Sequence, residues 1–457
     1  MEGGGRRDGV QTMRVAVIGM GASGTAVAAL LAREGADVRL IDDKIKDIPT
    51  ALRDQAIQYR LGTWTEEDLL SSDQVVVSPG FPLRRLPLAR LRASDIPVIG
   101  EMEWAASRLS APIIAITGTN GKSTTTTLIG EMLKAWGMRV FVGGNLGTPL
   151  CEAVGGEWDF IVVEVSSFQL EAIDRFHPRI AALLNVTPDH LDRYPDFDAY
   201  QQAKWRIFEN QTSRDHAVLN ADMPTPPGLR CTPAFFSRKT APAHGVFLRD
   251  GEIVAHVLGE PMPILRTAAL RIGGTHNMEN AMAAVACALL CGAPVSAIGQ
   301  VLGRFEGLPH RMEFVREVGG ARYINDSKGT NVGAVIQSLA GLVAPVILIA
   351  GGQDKGCDFA PLRAAVAGKV KRFILLGEAQ EKMAHALSGG APIDAVKSME
   401  DAVAVARAHA RLGDVVLLSP ACASFDLFRD YKQRGEVFRA AVNGLADSAK
   451  GTGRGDE

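Results

Sequence analysis

Apolar, β-branched runs of about five residues alternate with longer segments of helical periodicity from one end of the chain to the other. The runs at 14–18, 38–41, 74–77, 113–117, 160–165, 180–184, 346–350, 373–376 and 415–418 predict strands. Such alternation is the pattern of parallel α/β sheets with helices on both faces. Three nucleotide-style sheets account for the spacing better than one giant sheet. Breaks are expected near 97–100, where the first series of strands ends, and near 305–309, where a long helical segment stops at a Gly-Leu-Pro turn. The Pro-rich stretch 222–267, with short strand-like pieces at 245–248 and 252–257, reads as a structural insertion in the middle domain.

Length and composition narrow the class. A chain of 457 residues implies two to four domains, and 47% apolar with 22% charged residues is the mix of a folded globular protein. A net charge of −2 gives no global attraction to nucleic acid or to an anionic membrane, so phosphate binding has to be local. The most apolar stretch, 281–291, is far shorter than the ~20 residues that span a bilayer. The polar, Gly-rich start reads as a loose leader before Met13 rather than a signal peptide, which places the chain in the cytoplasm. The six cysteines form no C-x-x-C pair; Cys287 and Cys291, on one helix face, read as buried small hydrophobes.

Several polar clusters fall where strands end. Gly19-Met20-Gly21-Ala22-Ser23-Gly24 follows the first strand, and Asp42 ends the next, an arrangement that lets a phosphate approach a helix N-terminus and an acid reach a ribose. From the residues alone this is a dinucleotide site, another nucleotide site, or a turn that binds nothing. The second cluster is more specific. The buried run 113–117 leads into Gly118-Thr119-Asn120-Gly121-Lys122-Ser123-Thr124 and then a helix, so backbone N–H groups can wrap phosphates, Lys122 can reach the β and γ phosphates, and Ser123 can bind Mg²⁺. The longer P-loop form would need glycine at position 116, which is Ile116 here, so the match is to the shorter Gly-Thr-Asn-Gly-Lys-Ser.

Glu164, at the end of a hydrophobic strand, suits a metal ion near those phosphates, or else caps the next helix. Asn185 through Asp192 repeats the geometry with His190 beside Asp189. Lys204 lies on an amphipathic helix and by pattern is a solvated charge. Further polar turns occur at 276–280, 310–311, 326–331, 351–355 and 419–424.

Taken in order from Gly19 to Tyr431, these motifs resemble the Mur ligase family: Gly-Thr-Asn-Gly-Lys-Ser-Thr, Glu-Val-Ser-Ser-Phe-Gln-Leu, Asn-Val-Thr-Pro-Asp-His-Leu-Asp-Arg-Tyr, His-Asn-Met-Glu-Asn, Leu-Pro-His-Arg-Met-Glu and Asn-Asp-Ser-Lys-Gly-Thr-Asn. The resemblance implies an α/β chain of three domains: a Rossmann-like UDP-binding domain (1–100), a central P-loop ATPase domain with a mostly parallel sheet (101–307), and a Rossmann-like C-terminal domain for ATP and amino acid (308–457). It implies ATP-dependent joining of D-glutamate to UDP-N-acetylmuramoyl-L-alanine through an acyl phosphate, in peptidoglycan precursor synthesis. These small molecules are the partners it implies, with no nucleic acid, no membrane insertion, and a monomeric chain.

Carried over residue by residue, the UDP substrate falls to Gly19, Gly21, Ala22, Ser23, Asp43, Lys44, Ser78, Gly80 and Asn145. Relatives often carry Thr-Arg where this chain has Asp43-Lys44. ATP falls to Gly118, Thr119, Asn120, Gly121, Lys122, Ser123, Thr124, Asn277, Asn280, Arg311 and Asp326. The resemblance assigns two Mg²⁺ ions to Ser123, Glu164, His190 and Lys204, the last as a CO₂-derived carbamate. D-Glutamate falls to Thr330, Lys355, Ser424 and Tyr431, and catalysis to Lys122, His190, Lys204 and Lys328. Tyr431 stands where relatives often have Phe. Folylpolyglutamate synthetase, an NAD-dependent dehydrogenase and a non-catalytic nucleotide-binding regulator are the rival readings; the first lacks a full N-terminal glycine-motif domain and the second does not explain the P-loop.

Overall fold

The computed structural model describes residues 12–446, apart from 46, 191–192, 258, 344 and 355. Three sheets follow one another along the chain. The first comprises β1 (Arg14–Ile18), β2 (Asp37–Asp42), β3 (Ile57–Leu61), β4 (Gln74–Val77) and β5 (Val98–Gly100), all parallel, in the order β3-β2-β1-β4-β5. This is one half of a doubly wound nucleotide-binding sheet, with its switch point between β1 and β4.

The middle sheet has nine strands: β6 (Ile113–Thr117), β7 (Val140–Gly144), β8 (Phe160–Glu164), β9 (Ile180–Leu183), β10 (His216–Asn220), β11 (Thr232–Ser237), β12 (Gly245–Arg249), β13 (Glu252–His256) and β14 (Met262–Arg266). Their order is β14-β13-β12-β11-β10-β9-β6-β8-β7, parallel except at β12-β13-β14. The Pro-rich insertion is therefore the far edge of this sheet, where an antiparallel meander follows parallel β11.

The third sheet contains β15 (Glu313–Val318), β16 (Ala321–Asn325), β17 (Val346–Gly351), β18 (Val370–Leu376), β19 (Ile393–Ala395) and β20 (Val415–Leu418), in the order β15-β16-β20-β17-β18-β19. Only β15 and β16 pair antiparallel. They are joined through Gly319 and Gly320, both at positive φ, as a two-residue hairpin turn requires.

The strands that were not expected from the pattern are mostly edge strands. Ile57–Leu61 alternates buried and exposed positions, and Val140–Gly144 ends in two glycines, so neither reads as a continuous apolar run. By contrast all five residues of β6 are buried, packed beneath helix Lys122–Ala135.

Packing divides the molecule unequally. One hydrophobic cluster runs from Val15, Val17 and Val76 of the first sheet through Met102 and Trp104 to Ala115, Ile161 and Leu183 of the middle sheet. The short helix Glu101–Ala106 carries that continuity, since Trp104 is fully buried. In the same helix the Glu103 carboxylate accepts backbone N–H bonds from Asp174 (3.0 Å), Arg175 (2.9 Å) and Phe176 (2.8 Å). The third sheet has its own cores, one on each face.

The glycine turn after β1 shows why its spacing matters. Gly19 has φ +95°, and a Cβ placed on Gly24 would lie 1.8 Å from the Gly19 carbonyl oxygen. Glycine at position 24 lets helix Ala22–Arg33 begin directly against the turn. We expect Gly24→Val to cost at least about 2–3 kcal/mol by overpacking, whereas Gly21→Ala, with nothing within 4 Å and a negative φ, should cost under about 1 kcal/mol. Thermal unfolding of both variants checks this, and equal stability losses would contradict it.

Candidate active site

The candidate residues of the middle sheet gather at the carboxyl ends of its parallel strands, where open α/β sheets bind ligands. Gly118 follows β6, Asn145 follows β7, Glu164 ends β8 and Asn185 follows β9. Asn185 ties the loop in place: its side-chain oxygen accepts the Asn120 N–H (2.8 Å) and its amide donates to the Asn120 carbonyl (3.1 Å). Gly121 has φ +84°, and a Cβ there would stand 2.1 Å from Asn280 Oδ1, so the loop can press against helix Thr275–Leu290 only as glycine. Helix Lys122–Ala135 starts at once, with the loop's N–H groups at its positive end.

Two amines meet on one carbonyl. Lys122 Nζ donates to Gly118 O (2.8 Å) and Thr119 O (2.9 Å), and Lys204 Nζ donates to the same Gly118 O at 2.9 Å. Lys204 is 1% exposed, which corrects the sequence pattern that marked it as a solvated charge. Burial and the nearby Lys122 hold its pKa well below that of an ordinary lysine, although Asp189 and Glu164 pull the other way. Burial likewise lowers Lys122.

Glu164 is 3% exposed. It accepts from the Ser123 hydroxyl and from Asn145 Nδ2 at 2.6 Å. Burial alone would raise its pKa, but Lys122, Arg311, Ser123 and Asn145 outweigh that and keep it below the usual value. The helix after β8 is capped by a reciprocal Ser166–Gln169 box, so Glu164 is not its cap. Arg311, from the segment preceding the third sheet, donates to Ser123 Oγ at 2.7 Å. His190 sits at φ +56° in the loop after β9, with its ring 4.8 Å from Phe168 and 3.8 Å (Nε2) from Asp189 Oδ2. Asn331 Nδ2 donates to Asp189 at 2.9 Å, a second link from the C-terminal segment.

Between these groups and the third sheet lies a cavity of about 520 Å³. The phosphate loop contributes Asn120, Gly121 and Thr124; helix Thr275–Leu290 contributes His276, Asn277 and Asn280; the C-terminal segment contributes Arg311, Asp326, Lys328 and Asn331. His190 also lines it. Lys122, Ser123, Glu164 and Lys204 do not line it. Asp326, after β16, is buried and accepts from Ser338 Oγ (2.7 Å) and Ser419 Oγ (2.8 Å). Burial pushes its pKa up to about 6 despite those bonds. His276 is lowered to about 4, again chiefly by burial, so it is neutral near pH 7.

The expected amino-acid residues cluster less tightly. Lys328 Nζ lies 4.0 Å from the centre of the Tyr431 ring, and the Thr330 backbone N–H bonds to the Lys328 carbonyl. Ser424 is buried beside Ala423, whose backbone pairs with Gln353. Lys355 lies outside the described residues, as do Leu191 and Asp192. Arg434, which the sequence did not single out, is 1% exposed and donates to the carbonyls of Ser327, Cys422 and Ala423, tying the loops after β16 and β20 together.

The N-terminal set is separate from this cavity. Gly19, Gly21, Ala22 and Ser23 form the turn and helix start after β1, with Ser78 and Gly80 just past β4; a Cβ on Gly19 would touch Ser78 Cβ. Asp42 does not stand free for a ribose: it accepts the backbone N–H groups of Met20 (2.7 Å), Lys44 (2.8 Å) and Ile45 (2.8 Å) and clamps the turn. Asp43 pairs with Arg85 at 2.5 Å, and Lys44 is exposed. All six cysteines are free thiols, with Cys287 fully buried and Cys291 partly so.

Comparison with known proteins settles the kinship. The Mur ligase MurD-like N-terminal domain model matches residues 13–100, the Mur ligase middle domain 116–288, and the Mur ligase glutamate ligase domain 310–422. The chain belongs to the Mur ligase family. Within it, the chain is similar to the UDP-N-acetylmuramoylalanine–D-glutamate ligase of Geotalea daltonii, 47% identical over 96% of this chain and 98% of that one. The enzyme of the same name from Geobacter metallireducens is 48% identical over 94% and 97%. Among solved structures, UDP-N-acetylmuramate-alanine ligase MurC from Thermotoga maritima shares the fold with TM-score 0.60, 19% identity, and coverage of 94% and 99%. MurF ligase from the same organism, in complex with ADP, gives 0.59 at 17% identity, covering 95% and 97%.

Sequence reasoning gave no role to Asn185, Asn331 or His276 in this Mur ligase, although each stands in a polar turn at a strand end or helix start. Only tertiary contact shows that Asn331 reaches Asp189 across 142 positions.

The Asp326 carboxyl generates a pH prediction. Its folded pKa of about 6 exceeds the ordinary value of 3.8, so its contribution to stability is complete below pH ~4 and is lost as pH rises through 6. Relative to Asp326→Asn, the wild-type chain should lose roughly 2 kcal/mol between pH 4 and pH 7. Denaturant unfolding across that range measures the difference; parallel curves for the two proteins would contradict the buried, raised carboxyl.

Proposed function

We propose that this Mur ligase joins D-glutamate to UDP-N-acetylmuramoyl-L-alanine with conversion of ATP to ADP and phosphate. The observation that carries the phosphate chemistry is the convergence of Lys122, Lys204, Ser123 and Glu164 around Gly118, beside a cavity that Arg311 and Asn331 close from the C-terminal side. The choice of substrates is supported by relatives 43–48% identical over nearly their whole length, which bear the name of that activity. We assign residues 1–100 to the UDP moiety, 101–307 to ATP, and 308–457 to the amino acid and nucleotide. No helix among the described residues is long and apolar enough to cross a membrane; we take the enzyme to be cytoplasmic. We take it to act as a monomer.

In this reading the substrate carboxylate attacks the γ-phosphorus, the bond to the β-γ bridging oxygen breaks, and ADP leaves. The amine of D-glutamate then adds to the acyl carbon and phosphate departs, leaving the amide. Both steps concentrate negative charge, and preorganised cations in a buried cleft stabilise it. Lys122 at the helix N-terminus is assigned to the β and γ phosphates, and Lys328 to the transferred group. Asn277, Asn280, Arg311 and Asp326 surround the nucleoside side of the cavity, with the Asp326 carboxylate able to accept from ribose hydroxyls. Thr330, Lys355, Ser424 and Tyr431 are assigned to D-glutamate; Gly19, Gly21, Ala22, Ser23, Asp43, Lys44, Ser78, Gly80 and Asn145 to the UDP substrate.

Among the described residues no group of three or more His, Cys, Asp or Glu could enclose a metal ion. Mg²⁺ held largely through phosphate oxygens needs only one or two protein carboxylates. Ser123 and Glu164 would supply hard oxygen donors for one ion. His190 and Lys204 flank the Tyr200 ring and would serve a second, provided Lys204 carries a carbamate. Burial and the nearby Lys122 shift Lys204 toward the free amine, the form that adds CO₂ and releases a proton. Bound Mg²⁺ would screen the phosphates and polarise the γ-phosphoryl group.

Phosphate release with UDP-N-acetylmuramoyl-L-alanine, D-Glu and ATP tests the proposal, with L-Glu and D-Gln as poor substrates. Lys122→Ala and Lys204→Ala should stay folded yet lose at least about 100-fold in turnover. Formate or acetate should partly restore Lys204→Ala but not Lys122→Ala. Full activity in Lys204→Arg would rule out the carbamate.

A further inference from the structure

Tyr200 lies one helical turn before Lys204 on helix Phe197–Trp205 and is 1% exposed. The Lys204 amine stands 4.6 Å from the centre of its ring. Its hydroxyl is 3.1 Å from Thr119 Oγ in the phosphate loop, 81 positions away. The bonding of that threonine fixes the direction. Thr119 Oγ accepts the Thr187 N–H at 3.0 Å and lies 3.2 Å from the Thr187 carbonyl, which can only accept. A hydroxyl has one proton and two lone pairs. Its proton goes to Thr187 O, one lone pair takes Thr187 N–H, and the other is left for the Tyr200 O–H.

We propose that Tyr200 is a positioning residue for phosphate binding: one buried side chain sets Thr119 from its hydroxyl and packs Lys204 against its ring. The phosphate loop and the lysine helix then keep one register. The loop after β9, which carries Thr187, Asp189 and His190, joins the same unit through Thr119, and the His190 ring lies 6.2 Å from the Tyr200 ring. This assignment rests on the phosphate-binding part of the proposed function. It is independent of which amino acid or UDP sugar is used.

A space-filling role alone would be served equally well by phenylalanine, and that separates the two readings. Tyr200→Phe keeps the ring beneath Lys204 and removes only the bond to Thr119. We expect its melting temperature to stay within about 2 °C of the parent, while Kd for adenosine 5′-(β,γ-imido)triphosphate with Mg²⁺, measured by titration calorimetry, rises roughly three- to tenfold. In turnover assays KM for ATP should rise by the same factor, with a smaller fall in kcat. Thr119→Val removes the same bond from the other side, so the double variant Tyr200→Phe/Thr119→Val should bind no worse than Thr119→Val alone. Unchanged nucleotide affinity in Tyr200→Phe, or losses that simply multiply in the double variant, would overturn the assignment. Calorimetry needs neither D-glutamate nor the UDP sugar, so a parent enzyme that bound nucleotide but failed the ligase assay would count against the proposed substrates and leave this inference standing.

Discussion

The carbonyl of Gly118 receives two lysine amines, and the surrounding structure is arranged so that this is possible. Two ammonium groups a few ångströms apart repel by an amount on the order of kcal/mol even with strong screening. Here Glu164 and Asp189 offset the repulsion electrostatically, and burial favours the neutral amine of Lys204. Strand β6, buried along its length, fixes where that carbonyl lies.

From that point the functional geometry extends through strand ends. Glu164 is carried by β8, next to β6, and the loop with Asp189 and His190 follows β9 on the other side. Parallel neighbours in register deliver their carboxyl ends to one edge, which is why residues some 40 to 80 positions apart become neighbours. The third sheet repeats the device with Asp326 after β16 and Ser419 after β20, and Arg311 and Asn331 bridge the two edges.

How far this was legible depended on whether the deciding physics is local. The phosphate loop, its strand and its helix could be read because glycine spacing and periodicity act over about twenty residues. Glu164 is visible as a strand-end carboxylate, but that the cap of the next helix belongs to Ser166 and Gln169 instead follows only from their reciprocal bonds. Lys204 misled because FDAYQQAKW has the composition of a surface helix. Its burial is imposed by the phosphate loop lying over it, and no local pattern encodes that. Arg434 is the same case, a buried cation whose partners are carbonyls from two distant turns. Edge strands such as β3 and β7 escaped because half of each is polar or glycine.

The division of the cores has a consequence for how such a molecule diverges. One face of the first sheet and one face of the middle sheet share a continuous apolar cluster, so a change of volume in either is felt across Trp104 in the other. The third sheet is packed on both faces by its own side chains and meets the rest across polar contacts. Its interior can drift without passing a change of volume through a shared core, while Arg311 and Asn331 on its edge stay tied to the phosphate loop and to Asp189. Inheritance can therefore treat the core of the third sheet as an exchangeable head on a fixed body.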